Sequence, residues 1–160
     1  MKKIVALSDS HKNLKAITSI AEIMDESYLV IHLGDHYDDM DLFSTMLQDK
    51  LVRVHGNCDY GINKEVVKEV EGRRFLITHG DLYSVKEGLE KLKNRAKDLG
   101  CDTVLYGHTH KSAIIESEGI LFINPGNMTA YGGQKSYAYI VVNGKKITAV
   151  INENGIKKII

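Results

Sequence analysis

The chain has 160 residues, a length typical of one folded domain that buries about two-thirds of its unfolded surface. Hydrophobic residues make up 43% and charged residues 26%, which excludes a disordered chain, and no apolar run approaches the roughly 18 residues that a membrane-spanning helix needs. Lys plus Arg and Asp plus Glu both number 21, so the net charge is zero and a basic nucleic-acid-binding face is not indicated.

The amino-terminal segment does not have the pattern of a secretory signal. Only the apolar residues 4–7 follow the charged start before polar residues interrupt them, and a signal peptide needs a longer apolar stretch. We therefore expect a cytoplasmic protein in which Cys58 and Cys101 are free thiols. Residues 1–160 are expected to form one domain, because no Ser/Gly/Pro-rich linker, repeat or low-complexity segment interrupts them.

The first half of the chain alternates between short apolar runs and helical periodicity. The predicted elements are strands at 3–7, 28–33 and 51–55, a helix over 14–24 with Asn13 as its cap, and a short helix over 39–47. This order predicts parallel strands joined by right-handed crossovers. Because the apolar runs are uninterrupted, we expect both faces of these strands to be covered.

The second half of the chain changes to shorter β segments after one more strand–helix–strand unit. The predicted elements are a strand at 74–78, a helix over 85–99 ended by Gly100, a strand at 103–106, and β segments at 112–116, 120–123, 137–142, 146–151 and 157–160. Asn143-Gly144 and Asn154-Gly155 are expected to form hairpin turns. Two packed sheets with helices outside would satisfy this pattern.

Polar side chains follow five of the predicted strands. In chain order they are Asp9 and His11, Asp35, Asn57 and Asp59, His79, and His108 and His110. Ligands gather at the carboxyl ends of strands in open α/β sheets, and carboxylate, imidazole and amide groups are metal ligands in type. An Asp after a strand is often only a helix cap, but the recurrence at five strand ends favours a metal site over isolated caps and turns.

The order Asp-x-His, Gly-Asp-x-x-Asp, Gly-Asn-x-Asp, His-Gly and Gly-His-x-His resembles the calcineurin-like metallophosphoesterase superfamily over about residues 3–126. The short length and the Gly-Asn-Cys-Asp motif resemble its small bacterial and archaeal phosphodiesterase branch. The resemblance implies an α+β fold, a four-layer α/β/β/α sandwich in which helices flank two mixed sheets. It also implies hydrolysis of phosphate esters, diesters first, by attack of a metal-bridging hydroxide at a dinuclear centre.

The resemblance also assigns the ligands, residue by residue. One divalent ion would be held by Asp9, His11, Asp35 and His110. The other would be held by Asp35, Asn57, His79 and His108, with Asp35 as the bridge. Mixed nitrogen and oxygen ligands suit manganese, iron, cobalt, nickel or zinc better than magnesium alone, and manganese is our first candidate.

The residues expected at the reacting centre are Asp35, Asn57, Cys58 and Asp59. Many members of the superfamily carry His at the position of Cys58, where it is credited with protonating the leaving group. A thiol is a poorer donor, so we expect modest activity that favours diesters or activated esters. Asp59 would then orient a metal ligand or the backbone.

The roles of five further residues stay open at this point. His32, within a strand, is expected to be packed or hydrogen-bonded; His36 lies where it could touch substrate or solvent; and His55 is expected to be structural. Asp38 could support a ligand or cap the following helix. Asn127 stands where related small enzymes commonly carry Ser after Asn-Pro-Gly.

Functions other than ester hydrolysis are also compatible with the expected fold. The same fold serves as a protein-interaction scaffold in the retromer subunit of the superfamily, where the ligand set is incomplete, whereas all seven ligand positions here hold competent residues. A phosphomonoesterase or a nuclease is less favoured. The expected partner is a small phosphate ester, without nucleic acid or membrane, and exposed β edges near the carboxyl terminus leave a homodimer open.

Overall fold

The computed structural model describes residues 1–131 and 134–153, which form strands, helices and the loops between them. In chain order the strands are β1 (Lys2–Leu7), β2 (Leu29–His32), β3 (Leu51–Arg53), β4 (Glu65–Val70), β5 (Arg73–Thr78), β6 (Thr103–Leu105), β7 (Ala113–Ser117), β8 (Ile120–Asn124), β9 (Ser136–Asn143) and β10 (Lys146–Glu153). The α-helices are α1 (Leu14–Thr18), α2 (Ala21–Asp25), α3 (Ser44–Leu47) and α4 (Glu90–Asp98), and 3-10 helices cover Tyr37–Phe43, Gln48–Lys50 and Asp81–Tyr83. Among the described residues, no helix combines the length and the apolar character needed to cross a membrane.

The strands form two mixed sheets. The first sheet has the order β10-β9-β1-β2-β3, with β1, β2 and β3 parallel and β9 and β10 antiparallel to their neighbours. The second has the order β4-β5-β6-β8-β7, in which β5, β6 and β8 are parallel and the two edge strands are antiparallel. The predicted sandwich of two mixed sheets with helices is confirmed.

Alternate residues of the central strands face two different cores. Ile4 and Ala6 of β1 pack between the sheets, in the same cluster as Ile77 of β5. Val5 and Leu7 face the opposite way and pack under α1, α2 and α3. Since successive side chains of a strand point to opposite faces, both faces of β1 are covered, which explains its uninterrupted apolar sequence. Helix α4 covers the outer face of the second sheet in the same manner.

The prediction of a helix over 85–99 is right at its end and wrong at its start. Helix α4 begins later because Gly88 has a φ of 147°, which no α-helix accommodates. Gly100, with a φ of 66°, follows the helix as expected. The N–H of Cys101 bonds the carbonyl of Ala96 at 2.8 Å, which closes the helix with a glycine cap.

Three other elements differ from the predictions. Strand β4 was missed, because charged residues interrupt its apolar pattern, as is common for a strand at a sheet edge. The helix expected over 14–24 is divided into α1 and α2 at Ile20, whose φ of −110° and ψ of 12° are not helical. The helix expected over 39–47 starts as a 3-10 helix and becomes α-helical only at its end.

The hairpin turn at Asn143-Gly144 is confirmed, since it joins β9 to β10. The turn expected at Asn154-Gly155 and the strand expected at 157–160 lie outside the described residues.

The loops after β2 and β3 approach each other so closely that only glycine fits at one position. A Cβ atom on Gly56 would overlap Oδ1 of Asp35 and lie 2.5 Å from the Asp35 nitrogen. Because the second contact is with backbone, no side-chain rotation can relieve it. Gly56 therefore lets the ends of two neighbouring strands bring their polar side chains together.

We predict that Gly56→Ala lowers the free energy of unfolding by about 2–3 kcal/mol, because the backbone must move to admit a methyl group. Gly72→Ala is the matched control: a Cβ there meets nothing within 4 Å, although the φ of 85° carries strain of about 1 kcal/mol. Urea unfolding of both variants measures the difference. Equal losses would show that the close approach at Gly56 is unimportant.

Candidate metal centre

The loops after β1, β2, β3, β5 and β6 meet at one edge of the sandwich and bring the predicted ligands together. One group of side chains has ligand atoms within 4.8 Å of one another: Asp9, His11, Asp35 and His110. A second group shares one member with the first: Asp35, His79 and His108. The side-chain oxygen of Asn57 lies 3.1 Å from Nε2 of His79, which adds an amide to the second group. The structure therefore brings together the side chains of the two sets that the resemblance implies.

The hydrogen bond of His79 settles which of its nitrogens can bind a cation. Nδ1 lies 2.6 Å from the carbonyl oxygen of Leu33, and because a carbonyl only accepts, Nδ1 must carry the proton. In neutral His79 the lone pair of Nε2 then faces Oδ2 of Asp35 at 3.4 Å, the oxygen of Asn57 and Nδ1 of His108 at 3.2 Å. A cation between these atoms satisfies all of them, and a His that donates to a carbonyl is the usual arrangement of a metal ligand.

Two buried ligand atoms have no hydrogen-bond partner among the described residues: Oδ1 of Asp9 and Nε2 of His11. The other oxygen of Asp9 accepts from the hydroxyl of Ser8 at 2.5 Å and from the N–H of His108 at 3.1 Å. Oδ1 is left 3.1 Å from Nε2 of His110 and 3.9 Å from Nε2 of His11. Buried polar atoms are rarely orphaned, so this geometry fits a bound cation.

Asp35 uses its two oxygens differently. Oδ1 accepts the backbone N–H of Cys58 at 2.9 Å, whereas Oδ2 lies 3.4 Å from Nε2 of His79 and 3.9 Å from Nε2 of His11. A single oxygen of Asp35, Oδ2, therefore faces both groups. Burial opposes ionisation of Asp35, yet His79 and the Cys58 backbone hold its pKa well below the usual range.

Five of the grouped side chains stand on backbone in the left-handed region: Asp9, His11, Asp35, His108 and His110, with φ between 43° and 70°. Few residues other than glycine adopt this conformation, although Asp and His are enriched there. Strain of this kind costs on the order of 1–3 kcal/mol per residue and persists only where the surroundings enforce it. The loops are therefore held in shape by their neighbours.

Asp59 supplies part of that enforcement. Its Oδ2 accepts the backbone N–H groups of Asp35 at 2.9 Å and Gly56 at 2.8 Å, and its Oδ1 accepts that of Tyr37 at 2.9 Å. One carboxylate thus ties the loop after β2 to the loop after β3. Of the two roles expected for Asp59, the structure shows the second, orientation of the backbone.

A buried chain of hydrogen bonds beneath the site was only partly foreseen. Nδ1 of His32 accepts from the N–H of Gly34 at 3.1 Å, so its Nε2–H donates to the hydroxyl of Ser10 at 2.8 Å. That hydroxyl donates to Oδ2 of Asp39 at 2.8 Å. Burial lowers the pKa of His32 to about 4, which keeps it neutral. The supporting carboxylate is Asp39; Asp38, which the sequence suggested, is exposed.

The Asn-Pro-Gly-Asn segment secures the loop of the last two histidines. The side-chain N–H of Asn127 donates to the carbonyl of His110 at 3.1 Å, and that of Asn124 donates to the carbonyl of Gly107 at 3.1 Å and to the hydroxyl of Thr109 at 3.0 Å. This gives Asn127, whose role the sequence left open, a structural function beside the site. The importance of Asn124 was missed, since nothing in the sequence links it to the residues before β7.

Cys58 is exposed at the border of the second group. Its thiol lies 3.7 Å from the side-chain nitrogen of Asn57. Partial burial and the charge of Asp35 raise the pKa of the thiol to about 11, so it is neutral near pH 7. In the first group, the hydrogen bond to the carboxylate of Asp9 raises the pKa of His110.

We predict that the buried His32 makes the folded protein less stable as the pH falls. Its pKa is about 4 in the folded protein and about 6.5 in the unfolded chain, so the unfolded chain binds the proton first as the pH falls. The free energy of unfolding of the metal-free protein should therefore fall by up to about 3 kcal/mol between pH 6.5 and pH 4 from this residue alone.

His32→Gln keeps an acceptor and a donor but removes the titration. Urea unfolding of the two proteins across this pH range should show a shallower slope for the variant, because the other titrating groups cancel in the comparison. Parallel slopes would mean that His32 is not the buried neutral group described here.

Comparisons with known proteins identify the family of this chain. Residues 1–146 match the model of the calcineurin-like phosphoesterase superfamily domain. A probable metallophosphoesterase of Bacillus subtilis is 29% identical over 92% of this chain and 88% of its own length. A phosphodiesterase of Methanocaldococcus jannaschii is 31% identical over 81% of this chain and 86% of its own.

Among solved structures, a Vps29 from Entamoeba histolytica complexed with Zn²⁺ has a TM-score of 0.75 at 16% identity, covering 94% of this chain and 98% of that one. This likeness shows the fold alone. The family match spans nearly the whole chain, and so the chain belongs to the calcineurin-like phosphoesterase superfamily, as a metallophosphoesterase.

Proposed function

We propose that the chain is a phosphodiesterase that works at a dinuclear metal centre. Its ligands would be Asp9, His11, Asp35 and His110 for one ion and Asp35, Asn57, His79 and His108 for the other. The observation that carries the proposal is the convergence of Oδ2 of Asp35, the oxygen of Asn57 and Nδ1 of His108 on Nε2 of His79. A divalent ion among these atoms would accept a lone pair from each of them.

The arrangement suits phosphate ester hydrolysis. Two divalent ions held by these residues would neutralise the phosphoryl oxygens and lower the pKa of a bound water. Oδ2 of Asp35 would keep the ions together, because it is the one carboxylate oxygen near both His11 and His79. Imidazole, amide and carboxylate ligands favour manganese as the first candidate, with iron, cobalt, nickel, zinc and magnesium as alternatives.

Cys58 supports diesters or activated esters as substrates. A good leaving group departs without help, whereas a poor one needs a proton, and a thiol is a weak donor. The position of Cys58 beside Asn57, one of the proposed ligands, puts it within reach of an ester bound to the ions. We therefore propose that this side chain limits the range of leaving groups.

A protein-interaction scaffold is the second candidate, because Vps29 proteins share the fold. A bound metal would not separate the two functions, since the Vps29 named above is itself described as complexed with zinc. The complete ligand set of this chain favours the enzyme.

Two free thiols support the proposed cytoplasmic location, where disulfides are rare.

We predict that Asp35→Asn lowers the affinity for both ions by at least about tenfold, because a charged ligand common to both sites is lost. Asn57→Ala should lower the affinity for mainly one ion, since the Asn57 oxygen lies only in the second group. Calorimetric titration of the metal-free variants with Mn²⁺ measures both affinities. Asp49→Asn, an exposed acid in a 3-10 helix away from the site, is the control.

Retention of two tightly bound ions by Asp35→Asn would contradict the bridging assignment. If neither ion binds to the unaltered protein, the proposed function itself fails. Two bound ions without turnover on any ester would instead favour the scaffold.

We predict that Cys58→His raises the rate on a dialkyl phosphate by roughly tenfold or more and changes the rate on bis(4-nitrophenyl) phosphate much less. Imidazole can protonate an alkoxide leaving group, and a general acid contributes about 10²–10⁴-fold when well placed. Cys58→Ala, which has no donor, provides the comparison. Equal changes on both esters would show that this position does not limit leaving-group departure.

A further inference from the structure

A cavity of about 140 Å³ adjoins the proposed metal centre on the side of the loops after β2 and β3. Its walls are formed by His36, Tyr37, Asp38, His55, Cys58, Asp59 and Tyr60. It touches the site at two points, since the N–H of Cys58 bonds Asp35 and the ring of His36 lies 5.0 Å from that of His11. A larger cavity of about 270 Å³ includes Lys3, at the opposite end of β1 from Asp9, and so lies away from the chemistry.

Contacts within the protein hold part of the cavity wall in place. The ring of Tyr37 stacks on that of His55, with centroids 4.1 Å apart and an angle of 11° between the planes. The guanidinium of Arg53 lies over the same tyrosine ring at 4.1 Å. A Cβ on Gly61 would overlap the imidazole of His55, so the backbone closes against that ring. These contacts give the pocket a rigid aromatic side, in which the His55 ring is held between Tyr37 and the backbone at Gly61.

Tyr60 differs from that rigid side. Its side chain is fully exposed, at 103% of the reference area, and it makes no ring contact or hydrogen bond within the part of the chain that the structure describes. A bare aromatic ring at the mouth of a cavity offers a face on which another planar group can stack. Ile62, two residues further along this loop, is 98% exposed but does not line the cavity.

The charge of the pocket restricts what it can hold. Its walls include the carboxylates of Asp38 and Asp59 but no lysine or arginine. Asp59 already receives three backbone N–H groups, whereas Asp38 is exposed. A second negative charge on the bound group would be repelled by the carboxylate of Asp38.

We propose that this pocket binds an ester group of the substrate that carries an uncharged planar ring, stacked against Tyr60, while the phosphoryl group lies at the metal centre. The inference rests on the proposed phosphodiesterase function and adds a substrate class to it. Esters whose organic group is a neutral aryl or heteroaromatic ring are selected. Esters with an added carboxylate or phosphate on that group are rejected.

Stable phosphonates test the pocket without turnover. Calorimetry with the manganese-loaded protein compares methylphosphonate, phenylphosphonate and 4-carboxyphenylphosphonate at a pH at which all three phosphonate groups are dianions. Phenylphosphonate should bind at least about fivefold more tightly than methylphosphonate, because stacking on an aromatic side chain is favourable. 4-Carboxyphenylphosphonate should lose most of this gain in affinity over methylphosphonate.

Matched variants assign the effect to named residues. Tyr60→Ala should reduce the preference for phenyl over methyl by at least about threefold, whereas Ile62→Ala, which changes an equally exposed side chain outside the cavity, should leave it unaltered. Asp38→Asn should improve binding of the carboxylated ring, and Asp49→Asn should not.

The outcomes separate this inference from the proposed function. Equal affinity for methylphosphonate and phenylphosphonate, or equal effects of Tyr60→Ala and Ile62→Ala, would overturn the pocket and leave the metal centre intact. Failure of all three phosphonates to bind the metal-loaded protein would overturn both.

Discussion

The site depends on buried polar side chains that converge with few hydrogen-bond partners of their own. Nδ1 of His79 donates its proton to the carbonyl of Leu33, and Nε2 lies 3.4 Å from Oδ2 of Asp35. Oδ1 of Asp9 and Nε2 of His11 are buried nearby without hydrogen-bond partners among the described residues. Positive charge among these atoms would stabilise them.

The fold keeps these polar groups together by tying backbone to side chains that are not ligands. Asp59 joins the loops after β2 and β3, Asn127 holds the loop of His110, and the chain from His32 through Ser10 supports the first loop. Five proposed ligands sit on strained backbone, so each needs such support. Burial of apolar residues in the cores on either side of the sheets offsets the strain of this backbone.

The sequence places the seven proposed ligands at strand ends, which follow from apolar runs, and their division between two ions comes from the family resemblance. It also predicts the sandwich, since buried parallel strands and terminal hairpins leave few other arrangements. It does not predict Asn124 or Asp39, because their contacts join loops that are distant in the chain. It misplaces the start of α4 because the pattern of hydrophobic residues continues through Gly88, whose backbone conformation overrides it. Strand β4 was missed for the opposite reason, since its charges hide a real strand at a sheet edge.

The central claim is that one oxygen of Asp35 is shared by two ions. Electron paramagnetic resonance of the manganese-loaded protein tests it most directly, because ions that share a ligand are magnetically coupled and isolated ions are not. We expect the spectrum of a coupled manganese pair once the protein is saturated. A saturated protein that shows only the simple hyperfine pattern of isolated manganese would contradict it.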